Sequence, residues 1–194
     1  MPLWVTAYYA GSVRRAIVAY KEEGISSLRK PLSFALANGL VHFSQEHDSL
    51  AVVPIPSRIQ AIRSRGEDVI SELTRAACQA AGLRKHAFQR LLQMRPQAKD
   101  QGGLGASARR RNMAGALELR GAATGPVVLV DDVVTTGETV RAAITLFPPG
   151  KVVGVVAVAL VKSPRSIGRT SPYLTPGEAT RRRLGPPLSP TMET

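Results

Sequence analysis

Ten consecutive residues, Val152 to Val161, read Val-Val-Gly-Val-Val-Ala-Val-Ala-Leu-Val, with no polar side chain among them. A strand with one wet face alternates apolar and polar residues. This run does not alternate, so both of its faces must be covered. A second run, Val127-Val-Leu-Val130, has the same character. Both fall well short of the roughly 20 apolar residues a membrane-spanning helix needs, and no membrane insertion is expected. Strands buried on both faces belong to parallel sheets, whose neighbours are joined by long crossovers, usually helical. The expected fold class is therefore α/β, a central parallel sheet flanked by helices.

The rest of the chain supplies the helices. Val13, Ile17 and Tyr20 recur at helical spacing within residues 6–23, and Gly24 is placed to end that helix. A second helix is expected from Ser26 or Ser27 as N-cap, with Leu32, Leu36, Leu40 and Phe43 as its apolar stripe. Leu50 to Pro56 reads as a buried strand ended by prolines, and residues 67–81 as a helix with Ile70, Leu73, Ala77 and Ala80 inward. Phe88 to Leu92 and Ala116 to Leu119 read as short strands, Gln93 to Gly105 as a loop, and Ala106 to Asn112 as a short basic helix. The expected organisation is one domain over residues 1–162, with a helical hood at 1–45 and an α/β core at 50–162. Residues 163–194, rich in Ser, Pro, Gly, Thr and Arg, are expected to be a disordered basic tail.

Val127–Val130 leads into Asp131-Asp-Val-Val-Thr-Thr-Gly-Glu-Thr139 and then a helical pattern to Phe147. A strand, two carboxylates, a hydroxyl- and glycine-bearing turn and a helix start follow in that order. Free backbone N–H groups at a helix start sit at the positive end of its dipole, which suits a phosphate. Carboxylates are acceptor-only groups that suit sugar hydroxyls or Mg²⁺, and either one can equally cap the next helix. In an open parallel sheet ligands lie at the carboxyl ends of the strands. Loops are expected to leave those ends after Pro56, with Arg58, Arg63 and Arg65, and after Leu92, with Arg95, Lys99 and Asp100. Arginine matches phosphate oxygens bidentately.

Charge points the same way without deciding it. The chain carries 26 Lys and Arg against 14 Asp and Glu, a formal +12. Such a surplus fits anionic ligands, nucleic acid or an arginine-rich surface. Arg181-Arg-Arg183 in the tail adds a site for nucleic acid or a solvated run. The single cysteine, Cys78, excludes an internal disulfide and lies at helical spacing as a small core residue. The first residues lack a basic segment and a long apolar segment, so no signal peptide is expected and the protein is expected to be cytoplasmic.

The 127–139 stretch resembles the ribose-5-phosphate motif of the type I phosphoribosyltransferases. Six segments extend the likeness: Tyr9-Ala-Gly-Ser-Val-Arg14, Lys21-Glu-Glu-Gly24, Val53-Pro-Ile-Pro56, Arg63-Ser-Arg-Gly66, Gln101-Gly-Gly-Leu104 with Arg109 and Asn112, and Val130 to Gly137. Their order resembles the competence protein F (ComF) family of phosphoribosyltransferase-like proteins. The resemblance implies a type I phosphoribosyltransferase fold that binds phosphoribosyl pyrophosphate (PRPP) with Mg²⁺. Asp131 and Asp132 would hold the ribose 2′- and 3′-hydroxyls, meeting the metal through those hydroxyls or water. Val133, Val134, Thr135, Thr136, Gly137, Glu138 and Thr139 would surround the 5′-phosphate. Ser57, Arg58 and Arg65 would serve the pyrophosphate, and Lys99 would lie on a covering loop. Transfer of phosphoribosyl to a nitrogen acceptor is the expected reaction. The alternative is a non-catalytic PRPP or nucleotide sensor, or a single-stranded DNA-associated competence factor.

Overall fold

The computed structural model describes residues 1–56, 68–95, 116–161 and 182–183. Its centre is the pair of apolar runs. β5 (Val127–Val134) and β6 (Val152–Leu160) lie parallel, with Leu129 opposite Val155 and Val130 opposite Val156. β2 (Ala51–Pro54) flanks β5 in parallel, and β1 (Pro2–Tyr8) flanks β6 in parallel. The sheet order is β2-β5-β6-β1-β7, where β7 is the two residues Arg182–Arg183 set antiparallel on Pro2 and Leu3. The α/β class and the covered parallel sheet expected from the apolar runs are present.

Successive residues of these strands serve two separate cores. On one face Leu3, Val53, Leu129 and Val155 pack with Val140, Ala143 and Phe147 of the segment holding α4 (Glu138–Ile144). On the other face Val52, Val128, Val130 and Val156 meet three helices: α1 (Gly11–Glu22), α2 (Arg29–Glu46) and α3 (Val69–Ala80). The α2 layer lies very close to the sheet. At Gly154 an added Cβ would stand 2.1 Å from Cζ of Phe43, so the ring occupies the space a side chain would fill. Gly39 admits Trp4 in the same way, with its Cδ1 2.6 Å from where a Cβ would be.

Four expectations change. The hood expected from residues 1–45 contains a sheet strand: Leu3 and Val5 of β1 are 2% and 5% exposed and alternate with wetter neighbours. α2 is not a hood either, because it packs directly on the sheet. Its expected serine cap is absent: a short 3-10 turn, Ser26–Leu28, precedes Arg29 and no side chain caps the helix. The strand expected at Phe88–Leu92 is displaced to β3 (Leu92–Met94), which pairs antiparallel with β4 (Leu117–Leu119) in a separate ribbon. Phe88 keeps a single parallel bridge to Val52. Arg182 and Arg183, expected in a disordered tail, form β7. The basic helix expected at 106–112 and the rest of the tail lie outside the described residues.

α1 ends as its sequence foretells. Gly24 has φ +67 and Ile25 N–H reaches back to Ala19 O at 3.1 Å, closing the helix through the left-handed residue.

Candidate functional site at the carboxyl edge of the sheet

The parallel strands end together. Tyr8 and Val134 both lie in register with Leu160. β2 stops earlier, with Pro54 opposite Val130 and Ile55 N–H donating to Val130 O at 2.8 Å. Among the described residues, the last four of β5, Asp131 to Val134, project past β2 and pair with β6 alone. The two carboxylates stand on that projecting stretch.

The carboxylates are held differently. Asp131 is half-buried, and its Oδ1 accepts from Asp132 N–H at 2.8 Å. Asp132 Oδ1 accepts from Val133 N–H at 2.9 Å, and Asp132 Oδ2 forms an ion pair with Lys21 of α1. The Asp132 side chain is 13% exposed and closes a cavity walled by Ile17, Tyr20, Leu73 and Val158. Burial and the adjoining Asp132 carboxylate push Asp131 well above the usual carboxylate range, against a smaller opposing pull from Lys21.

The turn beyond the strand is preorganised. Thr135 and Thr136 are exposed, and Gly137 is buried with φ +77, a conformation that favours glycine. Thr136 Oγ1 accepts from Glu138 N–H at 3.4 Å, while Arg141 Nη1 donates to Thr136 O at 2.9 Å. Glu138 and Thr139 are half-buried at the start of α4. Val133 and Val134 turn their side chains into the two cores, Val134 being 3% exposed.

The structure thus brings Asp131, Asp132, Thr135, Thr136, Gly137, Glu138 and Thr139 together at one edge. Ser57, Arg58, Arg65 and Lys99 lie outside the described residues. β3, the strand before the segment holding Lys99, belongs to the separate ribbon; β1 supplies a further carboxyl end of the central sheet, at Tyr8. Arg95 meets the Glu118 carboxylate at 3.7 Å, beside Arg120. Glu118 is held below the usual carboxylate range, chiefly by its hydrogen bond from Arg120.

Lys21 and Arg141 are the two residues the motif alone did not bring forward. A signal for Lys21 exists: it follows Ile17 by four positions, so a cation sits on the inward row of an amphipathic helix. Arg141 falls one turn after Gly137, within reach of the loop before its own helix.

Among the described residues no group of three or more His, Cys, Asp or Glu is placed to hold a metal ion, and no helix is long and apolar enough to cross a membrane. An all-protein metal cage is therefore absent from this part of the chain. Mg²⁺ ordinarily binds through one or two carboxylates plus substrate phosphates, and the oxygen-only donor set at Asp131 fits that mode. No protein-family model and no curated protein matches the chain.

Proposed function

We propose that the protein binds PRPP, or a ribose 5-phosphate nucleotide, at this edge and transfers the phosphoribosyl group to a nitrogen acceptor. The observation that carries the reading is the juxtaposition at the end of β5: a half-buried carboxylate on a strand end that projects past β2, then a hydroxyl-bearing turn locked by a left-handed glycine. The carboxylate suits ribose hydroxyls, which donate to it, and the turn suits the 5′-phosphate. A type I phosphoribosyltransferase fold of the ComF kind is the finer reading of the α/β architecture.

In the proposed reaction the bond from ribose C1 to pyrophosphate breaks and a bond from C1 to nitrogen forms. The proton leaves the nitrogen, and pyrophosphate departs with the bonding pair. Positive charge grows on the sugar in the transition state. Asp131 beside the ribose would engage its hydroxyls and hold the ring in line. The Thr136–Gly137 turn, braced by Arg141, would anchor the far end of the sugar. Mg²⁺, carried on the ligand's phosphates, would neutralise charge on the leaving group.

Two measurements test this together: PRPP affinity by calorimetry with Mg²⁺ present and absent, and pyrophosphate release with a panel of nucleobases and amines. Asp131→Asn combined with Asp132→Asn is expected to abolish Mg²⁺-dependent PRPP binding. Unchanged affinity removes the site assignment. Binding without release leaves the protein as a PRPP sensor and removes the transferase.

A further inference from the structure

The two adjacent acids of the site differ in what surrounds them. Asp132 Oδ1 accepts from Val133 N–H at 2.9 Å, and Oδ2, which has no hydrogen-bond partner among the described residues, is ion-paired with Lys21. Its partner is half-buried: the Lys21 side chain is 27% exposed and lines the same cavity as Ile17 and Leu32. An ammonium gives up hydration only where a fixed partner returns it. Asp131, by contrast, has no ion pair among the described residues: its Oδ1 accepts from Asp132 N–H, its carboxyl also hydrogen-bonds the Asp132 carboxyl, and it stands on the stretch of β5 that projects past β2. We propose that Lys21 withdraws Asp132 from the ligand and leaves Asp131 as the single carboxylate that receives the ligand's hydroxyls. This rests on the ribose-phosphate reading and assigns the two acids different roles within it. Lys21 is a positioning residue, acting through Asp132.

The assignment produces a suppression pattern. The charge of Lys21 reaches Asp131 as well as Asp132. When Asp132 is neutralised, Lys21 is left to act on Asp131, which its charge already reaches, and competes with the ligand for it. Removing Lys21 as well frees Asp131 again. Asp132→Asn alone should therefore weaken binding, and Lys21→Met added to it should restore binding. If Asp132 touched the ligand directly, the second substitution would restore nothing.

The experiment is calorimetric titration of PRPP with Mg²⁺ into the full chain and four variants: Asp131→Asn, Asp132→Asn, Asp132→Asn with Lys21→Met, and Asp132→Asn with Lys21→Gln. The last is a second neutral pair in case the first does not fold. Asp131→Asn is expected to lose about tenfold or more in affinity, the scale of one charge-assisted hydrogen bond. Asp132→Asn is expected to lose about tenfold, and a folded neutral pair to return to within about threefold of the parent. A neutral pair as weak as Asp132→Asn overturns the proposal and leaves the ribose-phosphate reading standing. Absence of PRPP binding by the parent chain removes that reading, and the division of roles falls with it. Failure of both neutral pairs to fold also overturns the proposal, because the ion pair is then a requirement of the fold.

Discussion

Replacing Gly154 by alanine puts a methyl group into the ring of Phe43. The new carbon would stand 2.1 Å from Cζ, 2.3 Å from Cε1 and 2.9 Å from Cε2. Carbon atoms in contact rest about 3.5–4.0 Å apart, so ring and strand must separate by roughly 1.5 Å. Neither side gives easily. β6 is paired on both edges, to β5 and β1, and Phe43 is 1% exposed beneath α2. Overpacking of this kind costs about 1–3 kcal/mol, and the closeness of the contact argues for the upper half of that range. The entropy lost by the unfolded chain on going from glycine to alanine returns only about 0.4–1 kcal/mol. A net loss of about 1–2 kcal/mol remains, which lowers Tm by roughly 2–8 °C for a chain of this size. Urea denaturation supplies the free energy, with Phe43→Leu as the partner substitution. The shorter side chain vacates the space, so the double variant should be more stable than the sum of the single losses by about 1 kcal/mol. Gly154→Ala within about 0.5 kcal/mol of the parent, or strict additivity with Phe43→Leu, refutes the close seating of α2 on the sheet.

Other substitutions separate stability from ligand binding. Burial and Asp132 raise the Asp131 carboxyl above its ordinary value, so the fold is most stable with Asp131 protonated and loses stability as pH rises through the folded value. Asp131→Asn should therefore raise Tm at pH 7, with the gain vanishing towards acid pH, and a lower Tm at pH 7 contradicts the assignment. Cys78 is pushed up to about 12 by burial, from an ordinary 9.0. The folded thiol holds its proton longer than the unfolded one, so stability should fall between about pH 9 and 12, and Cys78→Ala should flatten that limb of the Tm profile. Arg141→Ala removes the brace on Thr136 O and should cost only about 0.5–1.5 kcal/mol globally. Hydrogen exchange at the Gly137 to Arg141 amides should nevertheless quicken, and unchanged exchange there denies Arg141 its bracing role.

The parts of the fold legible in the sequence are those where one physical requirement dominates. β5 and β6 lack alternation because both faces are covered, and α3 carries Ile70, Leu73 and Ala77 inward at helical spacing. β1 was hidden because Thr6 to Tyr9 also fits the helical pattern that follows it. Its strand identity comes from pairing with β6, a contact across some 150 residues of chain that no local window contains. β3 and β4 are too short to announce themselves and exist through each other. At the site, the turn of Thr135 to Thr139 could be read because strand, glycine and helix start are consecutive. The partner of Asp132 could not, since Lys21 is brought to it by tertiary packing of α1. Adjacency in sequence leaves the two acids alike; in the structure it is Asp132 that forms an ion pair with Lys21.

The most direct test of the ribose-phosphate reading is the affinity of the full chain for PRPP in the presence of Mg²⁺, measured beside Asp131→Asn. Saturable binding by the parent and a loss of about tenfold or more in the variant is the expected result. No binding by the parent, or equal binding by the two, contradicts it.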